Sequence, residues 1–188
     1  MPAHSLLKRL TAPALTFLVF SLLLIGINSG GAPSAHAASM SANEAFTLAS
    51  SETGVPADLL KGICYFEGRL SMHGGSPSID NGFGCMHLVK NERADTLDQA
   101  AGLLHVSTDQ LKNDLTTNIR GGAAVLRAEA LQLSSTLPTS LAGWYGTVAE
   151  YSHSRVHATA LSYADALYKV LKTGFNAQTD SGEVVTLG

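Results

Sequence analysis

Residues 73–88, "HGGSPSIDNGFGCMHL", hold four glycines and a proline in sixteen positions and cannot continue a helix. The Asn81-Gly82 pair is the strongest short-range hairpin signal, because both residues tolerate positive φ. The flanks allow only a small two-stranded ribbon. Helical periodicity lies on both sides of this tract, so the chain must bring two helical parts together across one Gly-rich hairpin. The fold class expected is therefore mainly α.

The helical segments carry their own punctuation. Ser41 and Glu44 form the ends of a capping box, followed by a short helix to about Ser51. Pro56 and Asp58 suit the first turn of a second helix. In it Leu59, Ile63 and Phe66 face inward, and it ends near Gly68. "TLDQAAGLL" is a third helix, and Ser107 with Gln110 caps a fourth. From Asn118, the residues Ile119, Ala123, Leu126, Ala130 and Leu133 form an apolar stripe of about four turns. "LAGWYGTVAEY" is shorter. A last helix buries Val156, Ala160, Ala164, Leu167 and Leu171 and stops at Gly174. The polar, turn-rich residues 176–188 read as a linker.

Residues 1–37 read as an export signal. Lys8 and Arg9 precede the apolar run "LTFLVFSLLLIGI", and Ala35 and Ala37 fit an Ala-x-Ala cleavage site. That run is short for a membrane span of about 20 residues, so cleavage before Ala38 is favoured over retention as an anchor. Membrane contact is then expected only through an uncleaved segment. The remaining domain is placed at 38–175. The signal holds two of the twelve basic residues and no acid, which leaves ten basic against fifteen acidic residues, a net −5. Nucleic-acid binding needs a basic face and is excluded as an expectation. Cys64 and Cys85 are either two buried thiols or a disulfide; an exported chain favours the bridge.

Glu67 is the residue out of place. It lies four positions after Ile63 and three after Cys64, on the face that should be buried. Desolvation favours the neutral form of a carboxyl, and a neutral carboxyl near pH 7 is what a general acid requires. The ordinary alternatives are a side chain curling into solvent or pairing with Arg69.

Four motifs in order raise the chemical reading: "YFEGRL", "GFGCMHL", "NIRGGAAVL" and "AEYS". Together they resemble the lysozyme-like soluble lytic transglycosylases over residues 42–172. Glu67 matches the catalytic acid at a helix end. Gly84, Met86 and Leu88 match the hairpin segment, Asn118, Ile119 and Gly122 the third motif, and Tyr151 the fourth. The chain departs at Gly68, where that family has Ser. It departs also at Cys85 and His87, which replace Leu and Gln, and at Ser152-His153, which replace Asn-Ala. "HGGSPS", "LDQAAGLL" and "WYGTVAEYS" further resemble the amino-terminal module of exported N-acetylmuramoyl-L-alanine amidases, whose zinc amidase domain is not part of this chain.

The resemblance implies a lysozyme-like α+β fold, a secreted or cell-wall location, and peptidoglycan glycan strands as partner. The bond cut would be MurNAc–GlcNAc, with Glu67 as acid and then base, the acetamido group assisting and a 1,6-anhydro product closing. A non-catalytic glycan-binding module serving an amidase partner is the alternative. Met86, His87, Asn118, Tyr151, Ser152 and Asp80 are the candidate substrate-binding residues. Asp80 is the nearest second carboxylate; its rival role is shaping the turn beside Asn81. Tyr65, Phe83, Trp144, Tyr145 and Tyr151 are candidates for a saccharide platform or for core packing. His73 and His87 are expected to flank the cleft. His153 and His157 stand four apart, but "HSRVH" lacks the HExxH glutamate, so neither a metal nor a cofactor is expected.

Overall fold

The computed structural model describes residues 40–188; the signal reading of residues 1–37 lies outside the described residues. Seven α-helices and two small antiparallel hairpins make up the described chain. The helices are α1 (Ala42–Thr53), α2 (Ala57–Gly68), α3 (Thr96–Leu104), α4 (Thr108–Asn113), α5 (Leu115–Leu133), α6 (Tyr145–Tyr151) and α7 (His157–Thr173). Strands β1 (Gly82–Phe83) and β2 (Leu88–Val89) interrupt them after α2, and β3 (Phe175–Gln178) and β4 (Val184–Leu187) follow α7. Among the described residues no helix is long and apolar enough to cross a membrane.

Helix α5 is the axis of the core. Its buried Ile119, Ala123, Val125, Leu126 and Ala130 meet α1, α3, α4 and α6. Both expected capping boxes form, at Ser41–Glu44 and at Ser107–Gln110. The stripes run one residue too far at their ends: Leu133 is exposed at the last turn of α5, and Val156 is the exposed N-cap of α7. An end residue loses the flanking turn that would cover it.

The β1–β2 ribbon turns at a place the sequence does not announce. Asn81-Gly82 leads into β1, and the turn is made by residues 84–87, where the His87 amide donates to the Gly84 carbonyl at 3.1 Å. Asn118 on α5 decides this. Its Oδ1 accepts the Met86 amide at 2.9 Å, while its Nδ2 donates to the carbonyls of Phe83 and Leu111 at 3.2 and 2.9 Å. A fully buried amide with three backbone partners fixes the turn against the core, overriding a local preference.

A disulfide joins Cys64 of α2 to Cys85 in that turn, with Cα atoms 4.5 Å apart. Closing a loop of this length stabilises by about 3 kcal/mol in the chain-entropy account.

Residues 176–188 are not a linker. They complete the β3–β4 hairpin, with Asp180-Ser181-Gly182 at its tip. Val185 is fully buried, a gain of about 1.5–3 kcal/mol over exposure. Phe175 stacks on Tyr65 of α2 at 4.1 Å between ring centres. Glu183 accepts the backbone amides of Ala42 and Asn43 at 2.6 and 3.1 Å, placing its charge at the positive end of α1. Asp180 accepts the Met72 amide at 2.7 Å. Its polar composition masked a period-two pattern only four residues long.

Candidate active site

Glu67 occupies the last turn of α2, where the chain leaves the helix through left-handed backbone at Arg69 and Leu70. Its side chain is 16% exposed. It stands in the wall of a cleft of about 220 Å³ together with Asp80, His87, Val89, Tyr151 and Tyr163, while Asn91, Arg93, Ser152 and His153 complete the lining. A second hollow of about 400 Å³, lined by Ile79, Asp80, Asn81, Asn91, Glu92 and Arg93, shares Asp80, Asn91 and Arg93 with the first. Three shared lining residues make the two hollows neighbours along one surface.

Both carboxylate oxygens of Glu67 have neighbours. Oε1 accepts a hydrogen bond from the Tyr163 hydroxyl of α7, and Oε2 lies 3.4 Å from His87 Nδ1. The ring of Phe66 meets Tyr163 edge-on at 5.4 Å, which holds that tyrosine in place. Burial, then the Glu67 charge and its hydrogen bond, push the Tyr163 hydroxyl well above its usual range, so it stays a donor. On the far side of the imidazole, His87 Nε2 is 3.1 Å from Asp80 Oδ1 and 3.0 Å from Ser78 Oγ. Burial raises the Asp80 carboxyl. The Ser78 hydroxyl, the His87 ring and the residue's own amide outweigh this and hold it below its usual value.

Gly68 explains how α2 and the turn come so close. A Cβ there would fall 2.5 Å from Cys85 Cα, so a side chain at 68 and the bridged Cys85 exclude each other. This contact and the 64–85 bridge pin the hairpin beside Glu67.

The structure sorts the other candidates. Asp80, His87, Tyr151 and Ser152 border the cleft with Glu67. Met86 and Asn118 do not: both are fully buried behind it, which corrects the expectation of direct substrate contact. Asn118 organises the turn, and Met86 packs on Gly122. Tyr151 is among the lining residues though only 5% exposed, and its hydroxyl donates to the Met86 carbonyl at 2.7 Å. The Ser152 hydroxyl donates to the Ala149 carbonyl at 2.7 Å. Of the other aromatic candidates, Trp144 is core, Phe83 is buried, Tyr65 stacks on Phe175 and Tyr145 donates to Asp165. His73 is exposed in a short 3-10 turn and does not line the cleft.

His153 and His157 do not share a helix face. His153 lies in the turn before α7 with φ 50°, its Nδ1 3.9 Å from Glu129 Oε1, and His157 is exposed at the start of α7. Among the described residues no group of three or more His, Cys, Asp or Glu is placed to hold a metal ion. Burial, then the His87 charge, lowers the His153 ring. Glu129 is the most perturbed carboxyl near the site: burial and then Glu150 push it up to about 8, and its Oε2 has no partner among the described residues.

Tyr163, Asn91 and Arg93 were not anticipated from the sequence, and His153 stands there only as a motif departure and a metal ligand, not as part of the cleft. Tyr163 carried a usable signal, since it falls three after Ala160 and four before Leu167 on the α7 stripe. A hydroxyl-bearing ring on such a stripe calls for a buried partner. Asn91 and Arg93 follow β2 without any pattern of their own. No protein-family model, curated protein or solved structure matches this chain.

Proposed function

We propose that this domain is a lysozyme-like module that cleaves the MurNAc–GlcNAc bond of peptidoglycan glycan strands, with Glu67 as general acid and then base. The single observation that carries the reading is the setting of Glu67. One carboxyl, mostly withdrawn from water, stands at a helix end in a cleft wall, with one oxygen held by a tyrosine donor and the other facing an imidazole. The resemblance of the four motifs supports the substrate class, and two adjoining hollows that share Asp80, Asn91 and Arg93 suit a ligand of more than one unit.

In this reading Glu67 protonates the glycosidic oxygen as the C1–O bond breaks. The acetamido carbonyl of MurNAc stabilises the cation. The same carboxylate then takes the proton of the sugar's 6-hydroxyl as the anhydro ring closes. Removing a positioned general acid costs on the order of 10²–10⁴ in rate.

A second reading is favoured by one observation. The hollow at Glu67 is only about 220 Å³, below the common range of about 300–1,000 Å³ for ligand pockets. It is a glycan-binding module that positions a partner amidase in the cell wall with little turnover. Incubation of purified peptidoglycan with wild type and Glu67→Gln separates the two. Soluble muropeptides from wild type alone support cleavage, and mass analysis tells anhydro from reducing ends. Retention on peptidoglycan with no released product from either protein supports the module.

A further inference from the structure

The 84–87 turn is tied to the rest of the molecule by two different means. Toward α5 and α6 the ties are hydrogen bonds. Asn118 takes the Met86 amide at 2.9 Å and gives to the Phe83 carbonyl at 3.2 Å, and the Tyr151 hydroxyl gives to the Met86 carbonyl at 2.7 Å. Toward α2, among the described residues, no backbone hydrogen bond runs to the turn. The tie there is the Cys64–Cys85 bridge, backed by the contact of Gly68 with Cys85. Glu67 and Tyr163 line the cleft from α2 and α7, while Asp80, His87 and Val89 line it from the hairpin. The bridge is thus a covalent link between two walls of the cleft.

That link holds the walls closer than two thiols would allow. The Cα atoms of the two cysteines are 4.5 Å apart, at the short end of the roughly 4.4–6.8 Å that disulfides span. Both cysteines are wholly buried, so neither sulfur has solvent to swing into. Two unbonded sulfurs must stand at van der Waals distance, well beyond a covalent bond, and a close-packed interior has no spare volume for that. The backbone leaves no slack either, since a Cβ at 68 would already fall 2.5 Å from Cys85 Cα. The turn must therefore retreat from α2 when the bridge is open. Glu67 precedes Gly68 and His87 lies two after Cys85, so the retreat widens the 3.4 Å approach of their side chains.

We propose that the Cys64–Cys85 bridge is a redox latch on the cleft: the reduced chain folds its helical core with the hairpin held off α2, and oxidation closes the site. The proposal rests on the reading of Glu67 as the working acid. The oxidant is a disulfide, such as oxidised glutathione. One cysteine thiolate attacks it, the oxidant's S–S bond breaks and one thiol leaves. The second cysteine attacks the mixed disulfide and releases the other thiol. Two electrons pass from the protein sulfurs to the oxidant, and the two protons go to its leaving thiolates. In the open state the retreating turn gives this attack access to Cys85. In the closed state both sulfurs are sealed from an attacking thiolate, so the latch works in one direction. In the export reading of residues 1–37 the chain meets such an oxidant only after leaving the cytosol, and the lytic site stays unassembled where it is made.

Protein refolded from denaturant with and without dithiothreitol, its thiols counted by alkylation of an aliquot, gives the two states to compare. Far-ultraviolet circular dichroism should not differ between them. Muropeptide release from purified peptidoglycan should be about 100-fold lower in the reduced state, the scale of a misplacement of about 1 Å. It should return on treatment with oxidised glutathione. The variant with Cys64 and Cys85 both changed to Ala should release at one rate with or without dithiothreitol. Independently of turnover, amide exchange at residues 67–70 and 84–87 should be about tenfold faster in the reduced protein, while residues 123–130 of α5 keep their protection. Equal, measurable release in the two states overturns the latch, and so does equal exchange. Loss of helix or of α5 protection on reduction also overturns it, since the bridge then stabilises the whole fold and gates nothing. Faster exchange confined to the two walls, in a protein that releases no muropeptides in either state, keeps the latch and overturns the cleavage reading instead.

Discussion

Gly68 and Cys85 occupy one another's space: a Cβ at 68 would lie 2.5 Å from the Cα of Cys85 and 3.1 Å from its carbonyl oxygen. The atoms met are backbone, so no side-chain rotation relieves the clash. The hairpin must retreat, and Glu67 is the neighbouring residue.

Gly68→Ser should therefore destabilise the folded domain by about 1–3 kcal/mol through overpacking, read as a lower urea midpoint. In a background with Cys64 and Cys85 both changed to Ala, the hairpin loses its covalent tie to α2 and keeps its Asn118 hydrogen bonds, so it can yield more and the same substitution should cost less. The double-mutant comparison should show non-additivity of at least about 0.5 kcal/mol. Equal costs in both backgrounds would refute the coupling.

Tyr163→Phe removes the hydroxyl that donates to Glu67 Oε1 and keeps the ring against Phe66. In the cleavage reading the rate should fall about 10- to 150-fold, in keeping with the loss of one charge-assisted hydrogen bond of about 1.5–3 kcal/mol. The melting temperature should change by only a few degrees. A fully active Tyr163→Phe protein would show that Oε1 needs no donor.

Glu129 should give the domain a pH-dependent stability. Burial and Glu150 raise its carboxyl from 4.5 to about 8 in the folded state. The folded protein thus binds more protons than the unfolded chain between about pH 4.5 and about pH 8, and stability falls as pH rises through that window. His153, whose ring is lowered by burial, works in the opposite sense as pH falls below 6.5. Melting temperature should therefore drop between pH 6.5 and 8 in wild type. Glu129→Gln should flatten the drop and be the more stable protein at pH 8. An unchanged slope in the variant would place the effect elsewhere.

Glu183→Ala should cost about 1–2 kcal/mol, because the amides of Ala42 and Asn43 lose their acceptor at the start of α1. Ending the chain after Phe175 should cost more, since Val185 and Leu187 also leave the core. A truncated protein with wild-type denaturation would mean that residues 176–188 stabilise nothing.

Much of this architecture was legible because local physics governs it. The capping residues Ser41 and Ser107, the α5 stripe and the stop at Gly174 depend on neighbours within a turn or two, so spacing reveals them. Asp80 and His87 could be named from the hairpin, but the bridge from Glu67 through His87 to Asp80 could not. It requires α2 and the 84–87 turn to be brought to contact distance.

By itself the sequence determined a mainly helical chain broken by a Gly-rich ribbon, an acid on an apolar helix face, and two cysteines on either side of it. Tertiary structure alone decided where the ribbon turns, because the buried Asn118 amide outweighs the Asn81-Gly82 preference. It also decided that residues 175–187 pack as a hairpin on α1 and α2, and that Tyr163, 96 residues away in the chain, holds Glu67. These are long-range choices among groups that must find hydrogen-bond partners once water is excluded. Spacing along the chain carries no trace of which partner, at what distance, satisfies them.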